Sequence, residues 1–349
     1  MDRSKYFDNA ATTPVAPEVF AAMEPFFKDR FGNASSIHGW GRQAENAVEE
    51  ARSQLADLIG AEPEEIVFTS GATEANNWVL RSFSSLSVSP FEHPSVRLTA
   101  EALKATVLKN DGWKLEGSES ELTSVQAVNH ETGALIKFPD ARLKHSDATQ
   151  AIGKVPFDAT QYDFASMSAH KFYGPKGVGA LYNKGCNPLP PLFHGGSHEH
   201  GFRSGTLNVP GIVGMGEAAR VAKDRLQEDV AHAQQLHKEV KRQLSEIEGV
   251  FFVESENNSP YVLTPCFEGV EGESVVITLD SKGFAISSGS ACSSGSGVTS
   301  HVLTAFGVPD DLIRGMVRIS FGRYNTVSSA EQLCEQIADA IKNLRKLNV

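Results

Sequence analysis

Apolar side chains return every three or four residues through 44–59 (AENAVEEARSQLADLI), and Gly60 follows at once. That period and that stop predict an amphipathic helix. The chain then changes rhythm. Residues 65–69 (EIVFT) read as a strand that runs into the small-residue turn 70–74 (SGATE), and 75–81 (ANNWVLR) resume a helical pattern. Segments 124–128, 163–168 and 178–182 are further candidates for buried strands. Strand, turn and helix in alternation predict an α/β fold with a mainly parallel sheet and helices on both faces.

A longer pattern follows. Ala218, Val221, Ala222, Leu226, Val230 and Ala233 are apolar positions of the stretch 214–248, where charges are interspersed and neither Gly nor Pro occurs after Gly216. It predicts a connecting helix rather than a linker. Beyond it, 262–267, 275–279 and 317–321 predict a smaller α+β unit closed by a helix over 329–347. The large domain is therefore placed at 15–245, and the small domain at 1–14 together with 246–349.

Composition narrows the class without naming a reaction. A chain of 349 residues suits two domains. Lys and Arg number 32 against 43 Asp and Glu, a net charge of −11. That balance argues against nucleic-acid and polybasic membrane partners, which need a positive field. No run of 18 apolar residues predicts a membrane span, and the first residues, MDRSKYFDNAATTP, lack the apolar core of a signal peptide. Cys186, Cys266, Cys292 and Cys334 are scattered with no CxxC pair, which argues against a disulfide framework or a structural zinc site and fits a reducing cytoplasm.

Four local features carry candidate chemistry. Lys171 ends a predicted strand, just before a Gly/Pro turn in 168–177 (SAHKFYGPKG); an amine desolvated there can form a Schiff base with a carbonyl compound. Asp147 ends another short segment two dozen residues earlier, where a carboxylate can keep a pyridinium nitrogen protonated. The turn 69–74 (TSGATE) opens a helix and so offers backbone N–H groups to a phosphate. His93, in Glu92-His93-Pro94, can stack on a flat ring. Taken singly, each has a plainer reading: a loop lysine, a helix-capping aspartate, an ordinary α/β turn, a structural histidine. Together they compose one site for pyridoxal 5′-phosphate.

The chain resembles the cysteine desulfurases of the nitrogen-fixation and iron–sulfur-cluster type, class V aminotransferases with the fold-type I pyridoxal-phosphate architecture. The matching stretches run in order along the chain: 7–14 (FDNAATTP), 33–38 (NASSIH), 70–76, 129–133 (NHETG), 147–150 (DATQ), 168–177, 203–206 (RSGT), 290–292 (SAC) and 317–320 (VRIS). The resemblance implies a large domain with a mainly parallel seven-stranded sheet and a small α+β domain. It also implies a homodimer that converts L-cysteine to L-alanine and passes the sulfur, as a persulfide on Cys292, to an acceptor protein.

It further implies roles. Lys171 would hold the cofactor aldehyde and move protons, Asp147 would pair with the pyridinium nitrogen, Gln150 would bond the ring hydroxyl, and His93 would stack on the ring. Ala72, Thr73, Ser168 and His170 would hold the phosphate, joined by Thr206 of the neighbouring subunit. Asn129 and Arg318 would hold the substrate carboxylate, Arg through its planar fork. Cys292 lies among small polar residues (287–297, SSGSACSSGSG), a setting that suits a thiolate carried to a substrate and away again. Cys186, Cys266 and Cys334 have no such setting and read as structural.

Related readings are a selenocysteine lyase or an aminotransferase of the same class, or a catalytically silent paralogue that serves as a binding partner. The chain departs from the family pattern in a shortened segment 94–128, in Ala34 where proline is usual and in His200 where arginine is usual. None of these removes a catalytic group.

Overall fold

A computed structural model describes residues 2–288 and 299–347. Its centre is a seven-stranded sheet. In chain order the strands are β1 (Ile66–Thr69), β2 (Leu86–Val88), β3 (Thr106–Val107), β4 (Leu122–Ser124), β5 (Leu143–Asp147), β6 (Phe164–Ser168) and β7 (Gly179–Asn183). They lie in the order β1-β7-β6-β5-β4-β2-β3. Pairing is parallel from β3 through to β6, and β7 runs antiparallel to both of its neighbours, β1 and β6. The mainly parallel α/β architecture expected from the alternating pattern is what forms.

Local chemistry sets the helix ends. The first long helix, α1 (Gly39–Ile59), begins five residues before the predicted start because the His38 side chain accepts from the Gly41 N–H, and it ends at Gly60 with φ 72°. Its apolar face (Ala44, Val48, Ala51, Leu55 and Ile59) is buried and packs against a later 36-residue helix. After β1 comes α2 (Ala72–Arg81), then α3 (Pro94–Ala102), capped by the His93 side chain. The long helix α4 (Val209–Leu244) follows, and Asn208 caps its start.

The C-terminal part holds a second, smaller sheet of β8 (Val262–Leu263), β9 (Ser287–Ser288) and β10 (Val317–Ser320), with β10 in the middle. The stretch 262–267 expected as one strand is interrupted at Thr264, whose hydroxyl donates to the Glu131 carbonyl, and Pro265–Phe267 pairs elsewhere, with Val250–Phe252. Segment 275–279 lies within helix α5 (Gly272–Asp280). Helix α6 (His301–Phe306), a short helix over Asp310–Arg314 and helix α7 (Val327–Leu347) follow. One apolar cluster surrounds Phe7, Val240, Phe267, Ile319 and Ile337, while a separate one fills the space between the large sheet and helices α1 and α4. No helix among the described residues is long and apolar enough to cross a membrane.

Candidate active site

The carboxyl-terminal ends of β5 and β6 sit side by side, because Asp147 pairs with Ser166 in the parallel ladder. This brings Asp147 and the turn after β6 to one edge of the sheet, where ligands of open α/β sheets bind. The turn after β6 is tight. Tyr173 adopts φ 69°, and a Cβ on Gly174 would sit 2.7 Å from the Ala169 Cβ, so glycine is required there. Thr13 fastens the amino-terminal segment to the same turn: its N–H and its hydroxyl both donate to the His170 carbonyl, and its Oγ1 accepts from the Tyr173 N–H.

Ala10, Ala72, Thr73, His93, Asp147, Thr149, Gln150, Ser168, His170, Lys171 and Arg318 all face one cavity of about 490 Å³. Lys171 Nζ donates to the carbonyls of Ala10 and Ala11 at 2.6 and 2.9 Å. Asp147 is held at both oxygens. Oδ1 accepts from the Thr149 N–H at 3.0 Å and Oδ2 from Asn76 Nδ2 at 2.8 Å. Asn76 also donates to Ser95 Oγ, which lies 2.8 Å from His93 Nδ1, so Asp147 and His93 are braced by one network. Burial holds His93 below the ordinary histidine value, against the pull of Asp147.

One end of the cavity suits an anion. The Ala72 N–H at the start of α2 donates to Ser168 Oγ at 2.8 Å, and the free N–H groups of a helix start favour negative charge. His170 sits beside them, its pKa pushed down to about 4 by burial and then by Lys171 and other nearby lysines. Arg318 also lines the cavity, and its Nη2 donates to Asp8 at 3.0 Å while its Nη1 donates to the His130 carbonyl at 2.9 Å. Its Nε is buried without a partner, as is the Thr149 hydroxyl. A ligand with a phosphate at one end, a basic ring over Asp147 and a carboxylate near Arg318 matches this donor set.

The model of the family described as "Aminotransferase class-V" matches residues 5–333. The chain belongs to the class V aminotransferase family. Cysteine desulfurase IscS of Neisseria meningitidis serogroup C (strain 053442) is 41% identical over 379 residues, covering 98% of this chain and 93% of the relative. Cysteine desulfurase IscS of Dictyoglomus turgidum is 36% identical over 384 residues, covering 100% of this chain and 97% of that one. A solved structure titled "NIFS-LIKE PROTEIN" superposes with a TM-score of 0.89 at 33% identity, over 97% of this chain and 99% of the other.

Two of the described residues singled out in this class V chain lie apart from the cavity lining. Asn129 is fully buried behind it: Oδ1 accepts from the Glu131 and Thr132 N–H groups and the Thr132 hydroxyl, and Nδ2 donates to the Phe91 carbonyl. Thr206 is exposed in the segment that precedes α4. Cys292 lies outside the described residues.

Other contributors were not singled out from the sequence. His130 lines the cavity and packs edge-on against His93, ring centres 5.2 Å apart; burial, then His93 and Arg318, hold it well below the ordinary histidine value. Ser300 donates to Glu131 Oε2 at 2.5 Å, and burial raises Glu131 to about 7. His301 lies 2.8 Å from the Glu92 carbonyl. The NHETG motif pointed to this corner, but the pairing of residue 131 with residue 300 has no local signature.

Proposed function

We propose that this chain is a pyridoxal-phosphate-dependent L-cysteine desulfurase, forming L-alanine and delivering sulfur as an enzyme persulfide. The observation that carries the reading is the convergence of Lys171, Asp147, His93, a helix-start anion site and Arg318 on one cavity. The relatives named cysteine desulfurase over nearly the whole length support the substrate.

Bound pyridoxal phosphate supplies an electron sink conjugated to the substrate amine. Ala72, Thr73, Ser168 and His170 hold its phosphate, Asp147 its ring nitrogen, Gln150 its ring hydroxyl, and His93 covers the ring. Arg318 takes the substrate carboxylate, with Asn129 fixing the turn that carries His130. Lys171 would hold the cofactor aldehyde and would move the proton at the cysteine Cα. Cys292 as thiolate attacks the substrate sulfur: an S–S bond forms as the Cβ–S bond breaks, and the electron pair stays with the carbon skeleton, which is protonated to alanine.

The protein acts as a homodimer in this reading, with Thr206 reaching the neighbouring site. Exposed Phe27, Phe31, Ile37 and Trp40 support it: an apolar surface group of this kind, with the Phe31 and Trp40 rings 5.2 Å apart, favours a partner surface. A division into residues 15–245 and a small domain of 1–14 with 246–349 is supported by Phe7, which packs with the C-terminal residues; Leu236, Val240 and Leu244 of α4 share that cluster, and another cluster joins Phe91 and Val125 to Val253 and Met316. A sulfur-acceptor protein in the cytoplasm completes the scheme.

The test incubates the pyridoxal-phosphate-loaded protein with L-cysteine and measures alanine and protein persulfide. Wild type is expected to form both. Cys292→Ser is expected to bind cofactor normally and form no persulfide there. Wild type that yields no alanine sinks the desulfurase reading, and full persulfide formation by Cys292→Ser sinks the role of that cysteine.

A further inference from the structure

Lys154 is a lysine with almost no solvent contact, 5% exposed, and the mechanism above leaves it without a task. It lies in the turn that follows β5. Gly153, at φ 70°, reverses the chain there, and a Cβ on it would come within 2.8 Å of the Phe172 Cβ, so this turn is pressed against the one that carries Lys171. Lys154 Nζ donates to Gln150 Oε1 at 2.7 Å. At the other end of the same amide, Gln150 Nε2 donates to the Ala10 carbonyl at 2.9 Å. Lys171 Nζ donates to that carbonyl as well, at 2.6 Å. Two lysines from separate turns are thus joined through one amide and one carbonyl.

Lys154 Nζ donates to the amide oxygen, and the Ala10 carbonyl at the other end can only accept. With these two partners, the Gln150 amide is held in one orientation. Its oxygen faces Lys154 and its nitrogen faces Ala10, which leaves the second N–H for the cavity that Gln150 lines. Removing the Lys154 donor leaves the amide free to turn over. Burial, then the positive charges of Lys171 and Arg318, hold the Lys154 amine well below the ordinary lysine value, and Lys154 in turn helps to depress His170.

We propose that Lys154 is a positioning residue for the cofactor: it fixes the Gln150 amide with its nitrogen turned to the cavity and, through that amide and the Ala10 carbonyl, sets the environment of Lys171. This rests on the pyridoxal-phosphate reading above but not on the identity of the amino-acid substrate.

The test reads the visible absorbance of the pyridoxal-phosphate-loaded protein against pH, without cysteine, in wild type, Lys154→Met and Gln150→Leu. Lys154→Met removes the donor that fixes the amide. An amide free to turn over presents its oxygen to the cavity, which favours the protonated nitrogen at Lys171, so the spectral midpoint is expected to move up by about one pH unit. Cofactor retention on dialysis is expected to fall about tenfold. Gln150→Leu keeps Lys154 but removes the relay, and is expected to move the midpoint the same way. The double variant is expected to shift no further than the larger single one, because the residues act as one unit.

A folded Lys154→Met protein, checked by circular dichroism, with the wild-type midpoint overturns the proposal. If Lys154→Met does not fold, an unchanged midpoint in Gln150→Leu overturns it. Wild type that takes up no cofactor overturns the cofactor reading and this inference together. Wild type that binds cofactor but leaves cysteine intact overturns only the substrate reading.

Discussion

The floor and the far wall of the cavity are built in different ways. The floor comes from consecutive units of one sheet: Asp147 ends β5, Ser168 ends β6, and Lys171 follows within one turn. Its groups are braced by short hydrogen bonds from the Ala72 N–H and Asn76 Nδ2 of α2 and from the Thr149 N–H. The far wall is assembled from segments distant in the chain. Asp8 meets Arg318, and Glu131 meets Ser300. The floor side chains are therefore placed mainly by adjacent strand ends, with Lys171 also donating to the Ala10 and Ala11 carbonyls, while the wall depends on contacts between segments far apart in the chain. Chemistry that demands a fixed proton path belongs on the floor, and substrate recognition can be placed on the wall.

Replacing Lys171 tests the floor and carries the largest expected effect. Lys171→Ala is expected to lower alanine formation from cysteine by about 10³-fold, within the range typical of a positioned acid–base group, with little change in thermal stability. Single-turnover kinetics with tight-binding cofactor checks it. A loss below tenfold would move the proton-transfer role to another group, with His130 the first candidate on position.

Arg318→Lys tests the wall. Lys cannot reproduce the planar fork, and one ammonium cannot hold Asp8 and the His130 carbonyl while also facing a carboxylate. KM for cysteine is expected to rise by about 10- to 100-fold, with kcat changed far less. Asp8→Asn keeps the arginine but weakens its orientation, and is expected to give a smaller rise in the same direction. If either variant lowers kcat and leaves KM unchanged, the wall belongs to the chemistry and its contrast with the floor fails.

The same contrast explains what could be read in the sequence. The floor motifs, 147–150 and 168–177, are continuous segments, and their chemistry follows from strand ends and turns. The small-residue turn 69–74 likewise announced its helix start. Strand β5 was harder to see, since Leu143-Lys144-His145-Ser146-Asp147 has neither an apolar run nor clean alternation. It is buried because its polar groups find partners across the sheet: His145 lies between Ser124 Oγ at 2.8 Å and Ser166 Oγ at 3.0 Å. The wall contacts span the chain, with Asp8 and Arg318 joined only by the fold, so no local period could predict them. The extra turn at the start of α1 came from a side-chain cap, which periodicity does not register.

The smallest expected effect separates the two regions by pH. In the floor, burial lowers His145 from 6.5 to about 4. Between those values the unfolded chain binds the proton that the folded chain refuses, so stability is complete above 6.5 and is lost as pH falls toward 4. In the wall, burial raises Glu131 from 4.5 to about 7. There the folded chain keeps a proton that the unfolded chain has released, so this contribution is complete below 4.5 and is lost as pH rises through 7. His145→Asn is expected to flatten the acid side of the stability profile, and Glu131→Gln to flatten the rise-of-pH side. Each contributes at most on the order of 3 kcal/mol across its whole window, since a shift of about 2.5 units at about 1.4 kcal/mol per unit gives that ceiling. Urea unfolding midpoints followed from about pH 4 to 8 give the two slopes. The absolute loss in either variant is not the readout, because both substitutions also remove hydrogen bonds; parallel displacement of both curves from wild type would show that neither buried group titrates with folding.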